Sequence, residues 1–128
     1  MKEFTEKITG KSMTIVNSSN TASTVKSGCL EVFATPMMLA LMEEATCFAC
    51  APLLEDEETT VGTKISVTHD KASGIGVNIT ACATLEEVDG RRLVFSVVAY
   101  DDNENTIGKG NIERFVVNKE KFMKKVNG

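Results

Sequence analysis

The segment from Thr35 to Pro52, TPMMLALMEEATCFACAP, constrains the fold most. Thr35-Pro36 marks a helix start: a threonine hydroxyl can cap free backbone N–H groups, and proline at the first helical position loses nothing by lacking its own. The helix is predicted from Pro36 to about Cys50, with Pro52 ending it. Its residues are apolar on every side apart from Glu43 and Glu44. A helix of that kind must be covered over most of its surface.

The C-terminal half of the chain can supply the cover. From Thr59 the period changes to two: Val61, Thr63, Ile65, Val67 and His69 are expected on one face, against Lys64, Ser66 and Thr68. Ile75, Val77, Ile79, Ala81 and Ala83 form a second such face, and Leu93, Phe95, Val97 and Ala99 a third. Asp89-Gly90 signals a tight hairpin, Asp101 to Asn105 a turn, and Ile107 to Val117 a returning strand. Before the helix, Phe4 to Val16 reads as an edge-type strand or two interrupted at Gly10. Asn17 to Lys26 reads as a polar, mobile loop, and Glu55-Asp56-Glu57-Glu58 as a solvated one. One long helix followed by a meander of antiparallel strands gives an α+β fold, the hot-dog arrangement, in which a curved antiparallel sheet wraps a central helix. A ferredoxin-like sandwich would need a second core helix. The other candidate, Lys119 to Lys125, is too short and too basic. A length of 128 residues suits a single domain over 1–128.

Composition narrows the function. With 18 acidic against 14 basic residues the net charge is -4, which argues against a nucleic-acid partner. No uncharged stretch approaches the roughly 20 residues of a membrane span, and the charged start Met1 to Lys7 lacks a signal-peptide core, so a cytoplasmic location is expected. The four cysteines suit free thiols. Cys47-Phe48-Ala49-Cys50 falls inside the apolar helix without accompanying histidines, so it is read as core rather than as a metal site. Gly74-Ile75-Gly76 lacks the third glycine of a dinucleotide loop, and no cofactor is implied. Arg91, Arg92, Lys109, Lys119, Lys121, Lys124 and Lys125 are read as solvated surface, a subset of which could meet a nucleotide phosphate at the sheet edge.

Three side chains are candidates for chemistry. Glu43 and Glu44 point about 100° apart, so at most one need face the sheet; a desolvated glutamate there would be a base or nucleophile. His69, the only histidine, shares an inward face with Val67 and Ile65, whereas Asp70 projects oppositely and cannot be its close partner. Thr35 is a helix cap, and the N–H groups of Met37 and Met38 behind it are expected to face any developing oxyanion. Thr35 and Glu43 lie eight residues apart, about 12 Å along the axis. They cannot touch, so either a substrate lies between them or a two-fold axis brings Thr35 of one chain toward Glu43 of another.

The blocks Phe33-Ala34-Thr35-Pro36-Met37-Met38-Leu39-Ala40-Leu41-Met42-Glu43, Val61-Gly62-Thr63, Val67-Thr68-His69, Gly90-Arg91-Arg92-Leu93 and Ile112-Glu113-Arg114 resemble, in order and spacing, the fluoroacetyl-CoA thioesterase-like branch of the hot-dog thioesterases. The resemblance implies a catalytic set of Thr35, Glu43 and His69, with Gly62 and Arg114 at matching substrate-site positions; Phe33, Met37 and Met38 at the helix start are further expected substrate contacts. It also implies a homodimer with sites at the interface. The same likeness implies aromatic residues just before the helix that shape the pocket. This chain has Lys26, Ser27, Gly28 and Cys29 there, so fluoroacetyl-CoA is not the expected substrate. The expected activity is hydrolysis of a small or short-chain acyl-CoA, in which Thr35 polarises the carbonyl, Glu43 attacks or activates water, and His69 manages the proton. A non-catalytic acyl-CoA-binding protein is the alternative. A hydratase would need a different histidine motif.

Overall fold

The computed structural model describes all 128 residues. Its elements are β1 (Thr9–Ile15), α1 (Ala22–Val25), α2 (Thr35–Cys50), a 3-10 turn (Ala51–Leu53), β2 (Glu58–His69), β3 (Asn78–Asp89), β4 (Arg92–Tyr100), β5 (Thr106–Asn118) and α3 (Lys119–Val126). The five strands form one sheet in the order β1-β3-β4-β5-β2, every neighbouring pair antiparallel. The expected α+β hot-dog arrangement is what forms: α2 lies in the hollow of the sheet, packed chiefly on β1 and β3. Met38, Met42, Ala45 and Ala49 of the helix meet Ile79, Ala81, Leu93, Phe95, Val97, Ala99 and Ile112 in one buried core. Alternation on β4 places Leu93, Phe95, Val97 and Ala99 inward as the sequence requires.

Several local expectations are corrected. Gly10 does not interrupt β1. It sits where a Cβ would lie 2.3 Å from the Ala45 carbonyl oxygen, so its bareness lets strand and helix backbones approach. Asn17 to Lys26 is a packed segment rather than a mobile loop: Asn20 and Thr21 are buried, and the Asn20 side chain accepts from the Asn17 N–H and donates to the Ile15 carbonyl. Glu58 leaves the acidic loop to begin β2, buried, with its carboxylate accepting from the Glu55 N–H and lying 3.6 Å from Arg91. The hairpin shifts by one residue, because Asp89 pairs with Arg92 and the turn is Gly90-Arg91, with φ +62° at Gly90. In the Cys47–Cys50 stretch, Ala49 and Cys50 are core but Cys47 and Phe48 are exposed.

The inward face of β2 also differs. Gly62 pairs with Arg114 and Lys64 with Glu113, so Thr63 is an extra residue bulged out of the ladder. Before the bulge Thr60 and Gly62 face the helix; after it Ile65, Val67 and His69 do. Val61 is thereby turned outward, opposite Phe115 on the outer face of the sheet. β2 is also an edge strand 12 residues long, and Ile65 on its inner face is 39% exposed.

Candidate active site

Helix α2 starts one residue earlier than predicted. Its cap residue is Ala34, and Thr35 is already helical, with its hydroxyl making no capping bond. That hydroxyl instead bonds the imidazole of His69: Thr35 Oγ1 lies 2.7 Å from Nδ1, joining the start of α2 to the end of β2. Met37 and Met38 do not offer free donors, since both of their N–H groups bond the Ala34 carbonyl. Ala34 N–H bonds Asn20 and Pro36 has none, which leaves the Thr35 N–H as the unpaired donor of the first turn. The free donor of the first turn is therefore the Thr35 amide, and not the Met37 and Met38 amides expected from the sequence. Met38 is a core residue, fully buried against the sheet where a Cβ on Gly108 would lie 2.6 Å from its sulfur.

The Thr35–His69 pair opens on a cleft of about 240 Å³ lined by Ser27, Val32, Phe33, Thr35, His69 and Lys71. Its Lys71 wall is fixed by a 2.7 Å ion pair with Asp101. Met37 lies outside this cleft, lining a neighbouring one with Phe33, Leu41 and Glu44. Burial lowers the His69 pKa from its ordinary 6.5, against weaker opposing effects of the Lys71 backbone and the Asp70 carboxylate, so the ring is neutral at pH 7. Asp70 itself accepts from the Thr68 hydroxyl and makes no bond to the ring. His69 Nε2 is buried and has no hydrogen-bond partner within the chain. When Nδ1–H donates to Thr35, Nε2 presents a lone pair; in the other tautomer the Thr35 hydroxyl donates and is itself polarised.

Glu43 belongs to a second pair. Its Oε2 accepts from Arg114 Nη1 at 3.2 Å, across the inward face of Gly62, where a Cβ would stand 2.6 Å from that oxygen. Gly62 and Arg114 are register partners on β2 and β5, so the bare glycine is what lets the carboxylate reach the guanidinium. The carboxylate is not the desolvated group expected from the helix's apolar flanks: the Glu43 side chain is 37% exposed and charge-paired. Arg114, expected to touch substrate, is buried, with Nε and Nη2 both bonded to Thr60 and Nη1 to Glu43. Glu44 points elsewhere and accepts from the Ser12 hydroxyl of β1. Spacing along α2 keeps the pairs about 12 Å apart in one chain. Thr60 is not among the residues the sequence singles out, although its i−2 relation to Gly62 puts the two on one strand face.

The fluoroacetyl-CoA-specific thioesterase family profile matches residues 16–120. The chain is 48% identical over 96 residues to the fluoroacetyl-CoA thioesterase of Streptantibioticus cattleyicolor, covering 75% of this chain and 68% of that protein. A solved structure of a fluoroacetyl-CoA thioesterase superposes with a TM-score of 0.90 at 36% identity, covering 98% of this chain and 97% of that one. Variants of that enzyme have been solved in complex with fluoroacetate and CoA (37% identity, TM-score 0.84) and with acetyl-CoA (38% identity, TM-score 0.85). A thioesterase superfamily member from Thermus thermophilus superposes at TM-score 0.91 with 26% identity, over 99% of this chain and 93% of that one. Profile, sequence and backbone agree: the chain belongs to the fluoroacetyl-CoA-specific thioesterase family, hot-dog hydrolases of acyl-CoA thioesters.

Proposed function

We propose that the chain hydrolyses a small or short-chain acyl-CoA, with Thr35, His69 and Glu43 as its catalytic residues. The observation that carries this reading is the 2.7 Å bond between Thr35 and a neutral His69, both lining the cleft, with the imidazole Nε2 buried and unpartnered. The thioester carbonyl is placed against the Thr35 N–H at the positive end of α2. His69 takes the proton of the attacking water or passes it on, while Glu43 either attacks the carbonyl or activates that water. The leaving thiolate has a pKa near 8.5, so strong general-acid assistance is unnecessary. A cleft of about 240 Å³ bounded by Phe33 and Val32 suits a small acyl group.

Within one chain Glu43 is too far from His69 to share a reacting carbon with it, which by itself favours the non-catalytic acyl-CoA-binding alternative. A homodimer resolves the distance, with Glu43 of one chain serving the Thr35–His69 pair of the other. The long edge strand β2 and its exposed Ile65 support pairing of two copies along that edge.

Thiol release from a panel of acyl-CoAs tests the proposal, together with light scattering that should report about twice the 13.8 kDa chain mass. Turnover is expected with acyl groups of a few carbons and should be lost in Glu43→Ala and His69→Ala. Saturable acyl-CoA binding with no thiol released, or variants as active as the parent, would overturn it.

A further inference from the structure

The guanidinium of Arg114 is held almost entirely by one residue. Nε donates to the Thr60 hydroxyl at 2.8 Å and Nη2 to the Thr60 carbonyl at 3.2 Å, so two bonds from one residue set the guanidinium plane. The remaining nitrogen, Nη1, faces Glu43 Oε2. Both Thr60 and Arg114 are buried, 9% and 6% exposed, where a cation with freed N–H groups has little water to turn to. Because its oxygen accepts from Arg114, the Thr60 hydroxyl has its own proton free to donate, and Cys50 Sγ lies 3.7 Å away to receive it. Burial holds that thiol above its ordinary pKa, so it stays an uncharged partner. A continuous series of contacts thus runs Cys50, Thr60, Arg114, Glu43.

We infer that Thr60 is a positioning residue for the hydrolysis: it sets the plane of the Arg114 guanidinium and through it the place of the Glu43 carboxylate. The inference rests on the proposed role of Glu43. Thr60 needs no contact with substrate to act. Its influence is on kcat, because the group it aims is used in the chemical step rather than in holding CoA.

The test compares Thr60→Val, which keeps the branched shape and removes the oxygen, with Thr60→Ser, which keeps the oxygen. Kinetics on the best acyl-CoA are read beside the Arg114 Nε–H signal in nitrogen-15 NMR, assigned by its loss in Arg114→Lys. Thr60→Val should lower kcat about tenfold with KM within about twofold, and should broaden or shift the Nε–H signal. Thr60→Ser should restore both. A Thr60→Val protein with parental kcat, or a Thr60→Ser protein as impaired as Thr60→Val, overturns the inference. Glu43→Ala, run alongside, separates the two claims. If it retains turnover, the proposed function fails; if it is inactive while Thr60→Val is unaffected, only the positioning role fails.

Discussion

Replacing Gly62 by alanine tests whether the site depends on where Glu43 is held. The added Cβ would stand 2.6 Å from Glu43 Oε2, against about 3.4 Å for ordinary contact, so the carboxylate must retreat by about 0.8 Å. That retreat is mechanically easy, since the obstacle is the end of a flexible side chain and the φ angle of Gly62 is not positive. It is chemically expensive, because misplacing a reacting group by about 1 Å can cost about 100-fold in rate. A loss of about 10- to 100-fold in kcat/KM is expected, equivalent to about 1.4–2.7 kcal/mol of transition-state stabilisation. Folding should barely register the change. The Glu43–Arg114 pair is part exposed on the Glu43 side, and such pairs contribute about 0–1 kcal/mol. Arg114 keeps both bonds to Thr60, and alanine restricts the unfolded chain by about 0.4–1 kcal/mol in the opposite direction. The assay is release of the CoA thiol, with thermal unfolding in parallel and Gly74→Ala as control, because nothing lies within 4 Å of a Cβ there. A Gly62→Ala enzyme of parental kcat/KM, or one that loses activity only by unfolding, would refute the reasoning.

Four further outcomes are expected. Because burial depresses His69, its neutral form persists below the ordinary 6.5, and the acid limb of the kcat/KM profile should fall below that value; a limb at or above 6.5 contradicts the assignment. Mixing inactive Thr35→Ala with inactive Glu43→Ala subunits should restore about a quarter of parental activity if each site draws on two chains, since half the dimers carry one intact site, and none if sites are intrachain. The Asp101 carboxylate accepts from Lys71 and from the Asn103 and Asn105 N–H groups, which hold its pKa well below the usual range. The stability it contributes is full above about pH 4 and declines as pH falls toward its folded value. Asp101→Asn should therefore lower Tm at pH 7 and flatten the dependence of Tm on pH below 4. Phe95→Ala, at a fully buried ring, should lower unfolding free energy by about 3–5 kcal/mol in urea titration.

The parts legible in the sequence were those written in short-range periodicity. The Thr35-Pro36 start of an apolar α2 and strict alternation from Leu93 to Ala99 are local signals: the first marked its element, the second both its element and its buried face. The candidate residues Thr35, Glu43 and His69 also stand out by type in such surroundings, whereas Gly62 enters only through the family resemblance. How they pair does not. Thr35 meets His69 across 34 residues and Glu43 meets Arg114 across 71, contacts made only when the sheet closes over the helix. Thr35 looks like a cap because threonine is a favoured N-cap residue and proline a favoured first helical residue, whereas here the hydroxyl bonds the His69 imidazole instead. Glu58 resembles solvated loop because its pairing with distant Arg91 leaves no trace in an acidic run. Thr60 is hidden for a different reason, since regular alternation carried across β2 assigns it to the wrong side.

The bulge at Thr63 fixes more than a local kink. Gly62 and His69 are seven positions apart, an odd number, so on an uninterrupted strand they would face opposite sides. The supernumerary residue resets the phase, and both ends of β2 address the same helix: one end presents the bare position beneath Glu43, the other the imidazole beside Thr35. The residue count between these two positions is therefore part of the proposed catalytic apparatus, independent of which side chains fill it. A catalytic set grafted onto a strand of regular pleat would reproduce every side chain yet aim half of them into solvent, and a single deletion between Gly62 and His69 would do the same here. Variation in this family should thus tolerate exchange at Thr63 far more readily than its loss.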